Sequence, residues 1–116
     1  MDKEIMKGSI DILLLTLLQS QDRYGYEIVR MLKEQSQDLY NMSEGTLYPA
    51  LKRLEKKNWL ESYWDNGEVG ARRKYYRITE DGRKELKRKL TEWEKVTHLI
   101  HVCAEGISKK KTSIVE

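Results

Sequence analysis

Residues 43–57 read SEGTLYPALKRLEKK, and residues 72–77, a short distance further along the chain, read RRKYYR. In the first stretch Leu47, Leu51 and Leu54 recur at the spacing of one helix face, so we predict a helix that turns these leucines toward a core. The second stretch is basic and belongs to a predicted hairpin. A basic helix beside a basic hairpin is typical of a winged helix-turn-helix, in which one element enters a DNA groove and the other rests nearby.

The outward side of the predicted helix is the candidate reading surface. Ser43 stands in the N-cap position, where its hydroxyl can accept a hydrogen bond from a free backbone amide. Pro49 is unexpected there, because proline inside a helix removes one backbone hydrogen bond and costs about 3 kcal/mol or more. Either the first turn is irregular, or Pro49 presents an apolar surface to a partner. The residues expected on or near this side are Thr46, Tyr48, Pro49, Lys52, Arg53 and Lys56.

Residues 59–64 and 72–78 are rich in aromatic and β-branched side chains, which predicts two strands. The second strand opens with Arg72, Arg73 and Lys74. Residues 65–71 join the strands, and Asn66-Gly67 among them accept positive φ. The connection is longer than a two-residue turn, so it is expected to project as a wing.

Two further helices are predicted before the reading helix. Residues 7–20 are apolar over more than one face, which indicates a helix buried both by its own core and by a second subunit. The alternative is a central helix wrapped by its own chain. Residues 24–32 form a supporting helix with Tyr24, Ile28, Met31 and Leu32 on one side, and residues 35–41 form a polar connector.

A long final helix is predicted after Thr79, which stands in its N-cap position with Glu80 and Asp81 in its first turn. The predicted boundaries are 1–78 for the winged helix-turn-helix with its N-terminal helix, 79–108 for a dimerisation helix and 109–116 for a disordered tail. The final helix carries a 4-3 pattern typical of a helix-pairing seam: Leu86, Leu90, Trp93, Thr97, Ile100, Ala104 and Ile107.

The charge of the chain is uneven, although its net value is only +3 over 116 residues. Residues 43–89 carry 13 Lys or Arg and 8 Asp or Glu, against 9 and 11 in the rest of the chain. Positive charge is therefore concentrated where the predicted reading elements lie. The length predicts one domain, mainly α with a small β-hairpin.

Several classes of protein are disfavoured. A single cysteine, Cys103, excludes an intrachain disulfide, and neither a leader segment nor an apolar stretch of about 20 residues is evident, so a cytoplasmic protein is expected. Glycine-rich phosphate loops, activated nucleophiles and paired catalytic carboxylates are not recognisable, so neither an enzyme nor a cofactor is predicted.

Four motifs, in order, make the chain resemble the PadR family of bacterial transcriptional regulators, specifically its small members with a single C-terminal helix. They are Gly8 with the apolar first helix, YGYEI at 24–28, GTLYPALKRLE at 45–55, and RRKYYRIT at 72–79 followed by Gly82. The resemblance covers nearly the whole chain. It implies a homodimer, usually a repressor, that binds an inverted-repeat operator and releases it when a small molecule occupies the dimer.

The resemblance also implies roles for individual residues. Tyr48 and Pro49 match family positions that approach bases in the major groove, and residues 72–74 match the wing, which meets the backbone or minor groove. Ala71 departs from the pattern, since many relatives carry a second glycine there, so the wing-tip conformation stays open. The other DNA-contact candidates, on the same helix end or face, are Ser43, Thr46, Lys52 and Arg53.

Trp93 lies in the middle of the seam and would approach its own copy near a two-fold axis. In some drug-responsive PadR relatives a matching tryptophan stacks on flat aromatic ligands, so Trp93 is the ligand-contact candidate. The alternative is an interface anchor without a ligand.

The histidines suggest a metal site only weakly. His98 and His101 can share a helix face with Glu94 and Glu105, but Cys103 falls on a different side, so a polar stripe is favoured and no metal site is predicted. Cys103 is interpreted as a small buried residue rather than a redox sensor. Two functional classes stay open beside DNA binding: a protein-interaction module that meets an acidic partner, and a metal-responsive regulator.

Overall fold

The computed structural model describes residues 2–66 and 72–115, with side chains described as far as residue 106. Over these residues the chain is mainly helical with a small antiparallel sheet of order β1-β3-β2, as predicted for a winged helix-turn-helix. Contacts divide the chain into two units, Met1–Leu86 and Lys87–Glu116. In chain order the elements are α1 (Lys3–Ser20), β1 (Arg23–Tyr24), α2 (Gly25–Gln35), α3 (Glu44–Lys56), β2 (Leu60–Asn66), β3 (Arg72–Ile78) and α4 (Glu80–Val115).

The core of the first unit is built from leucines of the helices. Leu47, Leu51 and Leu54 of α3 are each 0% exposed, which confirms the predicted inward face. They are joined by apolar side chains from α1, α2 and the sheet. Burying one such leucine stabilises the folded chain by about 1.5–3 kcal/mol. This packing fixes the backbone of α3 and leaves its opposite side exposed.

Helix α1 begins earlier than predicted, at Lys3 rather than residue 7. Asp2 caps it, since its Oδ1 accepts hydrogen bonds from the backbone amides of Glu4 at 2.8 Å and Ile5 at 3.2 Å. Leu14, Leu15 and Leu18 are buried in the first unit, whereas Ile12, Leu13 and Leu17 are half-buried.

Tyr24 is not on a helix face, so that part of the prediction is wrong. Arg23–Tyr24 form the short strand β1, which pairs antiparallel with β3 through Arg23↔Tyr76 and Tyr24↔Tyr75. Tyr24 then precedes α2, and its amide donates to Glu27 Oε1 at 3.2 Å. A strand of two residues is too short for periodicity to reveal, and β3 offers it an edge with free hydrogen-bonding groups.

The β2–β3 hairpin is close to the prediction. Strand β3 has the predicted bounds, and β2 pairs with it from Leu60↔Ile78 to Asn66↔Arg72. Strand β2 starts one residue later and ends two residues later than expected, because the pairing continues through Asp65 and Asn66. The predicted Asn66-Gly67 turn and the departure at Ala71 involve positions that lie outside the described residues.

Helix α4 begins as predicted, because Thr79 Oγ1 accepts a hydrogen bond from the amide of Gly82 at 2.9 Å. Its backbone continues to Val115, beyond residue 108, where the sequence places its end. In the second unit large apolar side chains are exposed, among them Trp93 at 46% and Ile100 at 61%. Cys103 is also exposed, not buried as interpreted from the sequence, because this part of the helix has no packed layer around it within its unit. Among the described residues, no helix is long and apolar enough to cross a membrane.

Candidate nucleic-acid interface

The N-terminus of α3 differs in one detail from its prediction. Ser43 occupies the N-cap position, but its hydroxyl donates to Thr46 Oγ1 at 3.2 Å instead of accepting from a backbone amide. The carbonyl of Ser43 accepts from the amides of Thr46 at 3.1 Å and Leu47 at 2.9 Å. The first turn therefore has a 3₁₀ contribution, which is the irregularity considered for a helix containing Pro49. Helix α3 is nevertheless continuous through Pro49.

The outward side of α3 carries the residues predicted for it. All six are exposed: Thr46, Tyr48, Pro49, Lys52, Arg53 and Lys56. Tyr48 keeps 46% of its surface exposed, while the end of its ring packs over Gly25 at the start of α2. This side thus combines an aromatic ring, a rigid apolar proline and several cations.

Arg53 differs from the other cations of α3, because it forms an ion pair with Asp11 of α1 through Nη2. The Arg53 side chain is 47% exposed and the Asp11 side chain is 21% exposed, so the pair lies at the surface. Such a pair contributes on the order of 0–1 kcal/mol to stability. Its main consequence for the site is that Asp11 competes with any anion that approaches Arg53.

Helix α3 and strand β3 face each other across a groove of about 540 Å³. Three lysines and one glutamate contribute side chains to it, and Glu55 also accepts a hydrogen bond from the Ser62 hydroxyl at 2.9 Å. Burial is the main cause of the raised pKa of Tyr76 in this groove, and the nearby Glu55 carboxylate adds to the effect. The lining residues are Tyr48, Lys52, Glu55, Lys56, Lys74 and Tyr76.

The groove brings together three predicted site residues, Tyr48 and Lys52 of α3 and Lys74 of β3, which is far from them in sequence. Lys56 was placed on the outward side but not among the DNA-contact candidates. Its i, i+4 relation to Lys52 is the signal that could have added it. Tyr76 was not predicted to line the site, because an aromatic residue in a strand is usually part of the core. It is indeed only 4% exposed.

The cations at the start of β3 are held over aromatic rings. This arrangement orients each charge by cation–π attraction. It was not predicted for Arg72 and Arg73, because their rings come from the neighbouring strands β2 and β1, whereas Tyr76 lies two residues from Lys74 on β3 itself. The pairs, with distances to the ring centroids, are Arg72 over Trp64 at 5.0 Å, Arg73 over Tyr24 at 4.7 Å and Lys74 over Tyr76 at 5.7 Å.

Arg77, at the other end of β3, has a different role. Its Nε donates to Asp22 Oδ2 at 3.1 Å, and the Tyr63 hydroxyl donates to the same oxygen at 2.6 Å. The nearby Asp22 carboxylate raises the pKa of Arg77, and the hydrogen bond to Asp22 raises the pKa of Tyr63. Arg77 therefore anchors the hairpin to the segment between α1 and β1.

The predicted effector contact and the four side chains that were considered and rejected as a metal site lie in the second unit. Trp93 is 46% exposed, and His98, His101, Glu94 and Glu105 are all exposed. Within the described parts of the chain, no group of three or more His, Cys, Asp or Glu side chains could hold a metal ion.

The part of the chain that carries this surface is similar to a known protein family. Residues 14–88 match the family described as "Transcriptional regulator PadR-like family". An uncharacterised protein of Lysinibacillus sphaericus is 38% identical over 104 residues, which cover 90% of this chain and 95% of that protein.

Two solved structures are similar over most of the chain. A transcriptional regulator from Clostridium thermocellum has a TM-score of 0.78 at 40% identity, covering 85% of this chain and 96% of the other. A PadR family transcription regulator from hypervirulent Clostridium difficile R20291 has a TM-score of 0.70 at 39% identity, covering 80% and 95%. The family match includes α2, α3, β2 and β3, the elements that carry the cationic surface.

Proposed function

Because this chain belongs to the PadR-like family of transcriptional regulators, we propose that it binds DNA as a homodimer and represses transcription from an inverted-repeat operator. Helix α3 enters the major groove, and the β2–β3 hairpin meets the neighbouring backbone or minor groove. The observation that carries the proposal is the groove between α3 and β3, whose lining includes Lys52, Lys56 and Lys74.

Phosphate binding and base reading fall to different side chains. The lysines of the groove, together with Arg72 and Arg73, neutralise phosphates and supply affinity. Ser43 and Thr46 offer hydroxyls at the helix N-terminus, where phosphate oxygens are favoured. Tyr48 and Pro49 supply shape and apolar contact at the base edges. Arg53 contributes less than the lysines, since Asp11 already pairs with it.

Dimerisation uses the first and last helices. In the second unit the seam residues Leu90, Trp93 and Ile100 are 37%, 46% and 61% exposed, and Ile5 of α1 is 63% exposed. Large apolar side chains exposed in a row on one helix favour association with a second helix. The dimer sets the distance between two copies of α3, which must match half-sites about 34 Å apart on one face of B-DNA.

Release from DNA follows binding of a small molecule beside Trp93. A flat aromatic compound that stacks on this ring alters the packing of the two α4 helices and hence the distance between the reading helices. Titration with a panel of planar cationic drugs is expected to quench tryptophan fluorescence and to weaken DNA binding. Quenching that also occurs in Trp93→Ala would contradict this role, and absence of quenching across the panel would leave Trp93 as an interface anchor.

Binding to the DNA upstream of the protein's own gene, followed by fluorescence anisotropy at several salt concentrations, tests the proposed function. Lys52→Ala and Lys74→Ala should each weaken binding and reduce the salt-dependence slope by about 1, because each removes one phosphate contact. Tyr48→Ala and Arg72→Ala should also weaken binding and leave the fold intact.

The matched control is Lys95→Ala. Lys95 lies on α4 and pairs with Glu92 at 3.2 Å, so its removal should leave the slope unchanged. Unchanged affinity for all the surface variants, or no specific binding to any genomic fragment, would contradict the proposal. The second outcome would favour an acidic protein partner for the same surface.

A further inference from the structure

We propose that Gly25 is a positioning residue for DNA recognition: because it has no Cβ atom, it leaves the space in which the Tyr48 ring rests and so sets the orientation in which that ring meets the bases. This inference rests on the proposed function, in which Tyr48 reads DNA. Gly25 itself is buried, so its role in specificity is exerted through Tyr48.

The contact between Gly25 and Tyr48 is close and directed at the end of the ring. A Cβ atom added to Gly25 would lie 2.6 Å from Tyr48 Oη, 3.0 Å from Cζ and 3.2 Å from Cε1. Carbon atoms in favourable contact are about 3.5–4.0 Å apart. Even alanine at position 25 would therefore overlap the ring, and the ring would have to turn away.

The two sides of this contact differ in their freedom to move. Gly25 is the first residue of α2, which is held by the pairing of Tyr24 with Tyr75 and by Ile28, which is 0% exposed. Tyr48 lies on α3 next to the fully buried Leu47, but its own side chain is 46% exposed. Relief of an overlap is therefore expected from a rotation of the Tyr48 side chain, with both helices in place.

A rotated Tyr48 ring would change base reading more than phosphate binding. The lysines that line the groove with Tyr48 are carried by the backbones of α3 and β3, so a rotation of the Tyr48 side chain leaves them in place. Affinity for DNA of unrelated sequence comes almost entirely from such cations. Gly25→Ala is thus expected to lower the preference for the specific sequence while binding to other DNA is retained.

The test compares Gly25→Ala, Tyr48→Ala and the double variant on two duplexes. One is a fragment that the wild-type protein selects from its own genome, and the other is a scrambled duplex of the same length. Gly25→Ala should weaken binding to the selected fragment by about tenfold, the size of one base contact. Binding to the scrambled duplex should stay within about twofold. In the Tyr48→Ala background the same glycine substitution should cause no further loss, because no ring remains to be displaced.

Each contrary result has a distinct meaning. Equal losses from Gly25→Ala with and without Tyr48 would overturn the inference, as would wild-type binding by Gly25→Ala. If Tyr48→Ala itself has no effect while Lys52→Ala does, the inference fails but the proposed function stands; if neither has an effect, the proposed function fails as well. Should Gly25→Ala lower the melting temperature, the double variant should recover it, and no recovery would show that Gly25 has only a structural role.

Discussion

Tyr40 and Tyr63 are two tyrosines in opposite environments. Tyr40 is 4% exposed, and its hydroxyl has no partner with full hydrogen-bond geometry among the described residues, although the nearby Ser9 hydroxyl partly opposes the rise that burial causes in its pKa. Tyr63 is half-buried and donates to Asp22 at 2.6 Å. A buried hydroxyl without a partner costs stability, whereas a hydrogen bond to a charged group contributes to it.

Removal of these hydroxyls is therefore expected to have opposite effects. Tyr40→Phe should leave the free energy of unfolding unchanged or raise it, while Tyr63→Phe should lower it by about 1 kcal/mol. Each variant loses the same single oxygen atom, so each is the control for the other. Urea denaturation measures both, and a larger loss from Tyr40→Phe than from Tyr63→Phe would contradict this reading of the two sites.

The tyrosines also predict a dependence of stability on alkaline pH. Burial raises the pKa of Tyr40 and Tyr76, and the hydrogen bond to Asp22 raises the pKa of Tyr63, each from the usual value of 10.0. Because the unfolded chain loses these protons first, the stabilisation is complete below about pH 10 and falls as pH rises through the folded-state values.

Melting temperatures measured from about pH 8 to 11 check this prediction. The midpoint should fall above about pH 10, and the fall should be shallower in Tyr63→Phe, which lacks one of the three groups. An equally steep fall in this variant would show that Tyr63 does not contribute to the loss of stability at alkaline pH.

At the scale of elements, regular spacing was sufficient for some features and not for others. The leucines of α3 and the bounds of β3 follow from short-range patterns and were predicted. Strand β1 was missed, because its two residues become a strand only through pairing with β3. The Arg53–Asp11 pair joins residues far apart in sequence, and no local pattern indicates it. Likewise, glycine composition alone does not show which glycines lie against another element.

Gly82 illustrates such a close approach, since the first turn of α4 lies against the segment that joins α3 to β2. A Cβ atom at this position would overlap the carbonyl oxygen of Trp59 and lie 2.8 Å from Ile78 Cγ1. Backbone cannot rotate away as the Tyr48 ring can, so Gly82→Ala should destabilise the chain by about 2–3 kcal/mol.

The control for Gly82 is Gly8 of α1. A Cβ atom there would meet nothing within 4 Å, so Gly8→Ala should be neutral or stabilise by about 0.5–1 kcal/mol. Chemical denaturation of both variants checks the contrast. Equal stability of Gly82→Ala and the wild type would show that the start of α4 adapts.

For the whole molecule, the sequence predicted the fold and the side of α3 that is exposed, but not how the exposed cations are held. Arg73 stacks on Tyr24 and Arg53 pairs with Asp11, so these two predicted DNA-contact residues have partners far away in the sequence. These partners come from β1 and α1, and only the tertiary structure brings them close. That the second unit forms the dimer and binds an effector stays a prediction. It depends on the exposed apolar side chains of α4.

Loss of the seam should separate the subunits. Ile100→Glu places a carboxylate on the predicted seam, at a side chain that is 61% exposed within the single chain, so it should leave the first unit folded and shift sedimentation to the monomer. Affinity for DNA should fall with it, because two half-sites are no longer bound together. His98→Glu introduces the same group on the same helix away from the seam and should remain dimeric. A dimer of unchanged strength in Ile100→Glu would exclude the seam as the interface.

Selection of genomic DNA by the wild-type protein, followed by sequencing of the bound fragments, tests the proposed function most directly. The expected result is a set of fragments that share an inverted repeat, with half-sites about one helical turn or a multiple of it apart, and whose enrichment is lost in Tyr48→Ala. Fragments without a common sequence, or with a common sequence that lacks two-fold symmetry, would contradict a homodimeric regulator that reads DNA with α3.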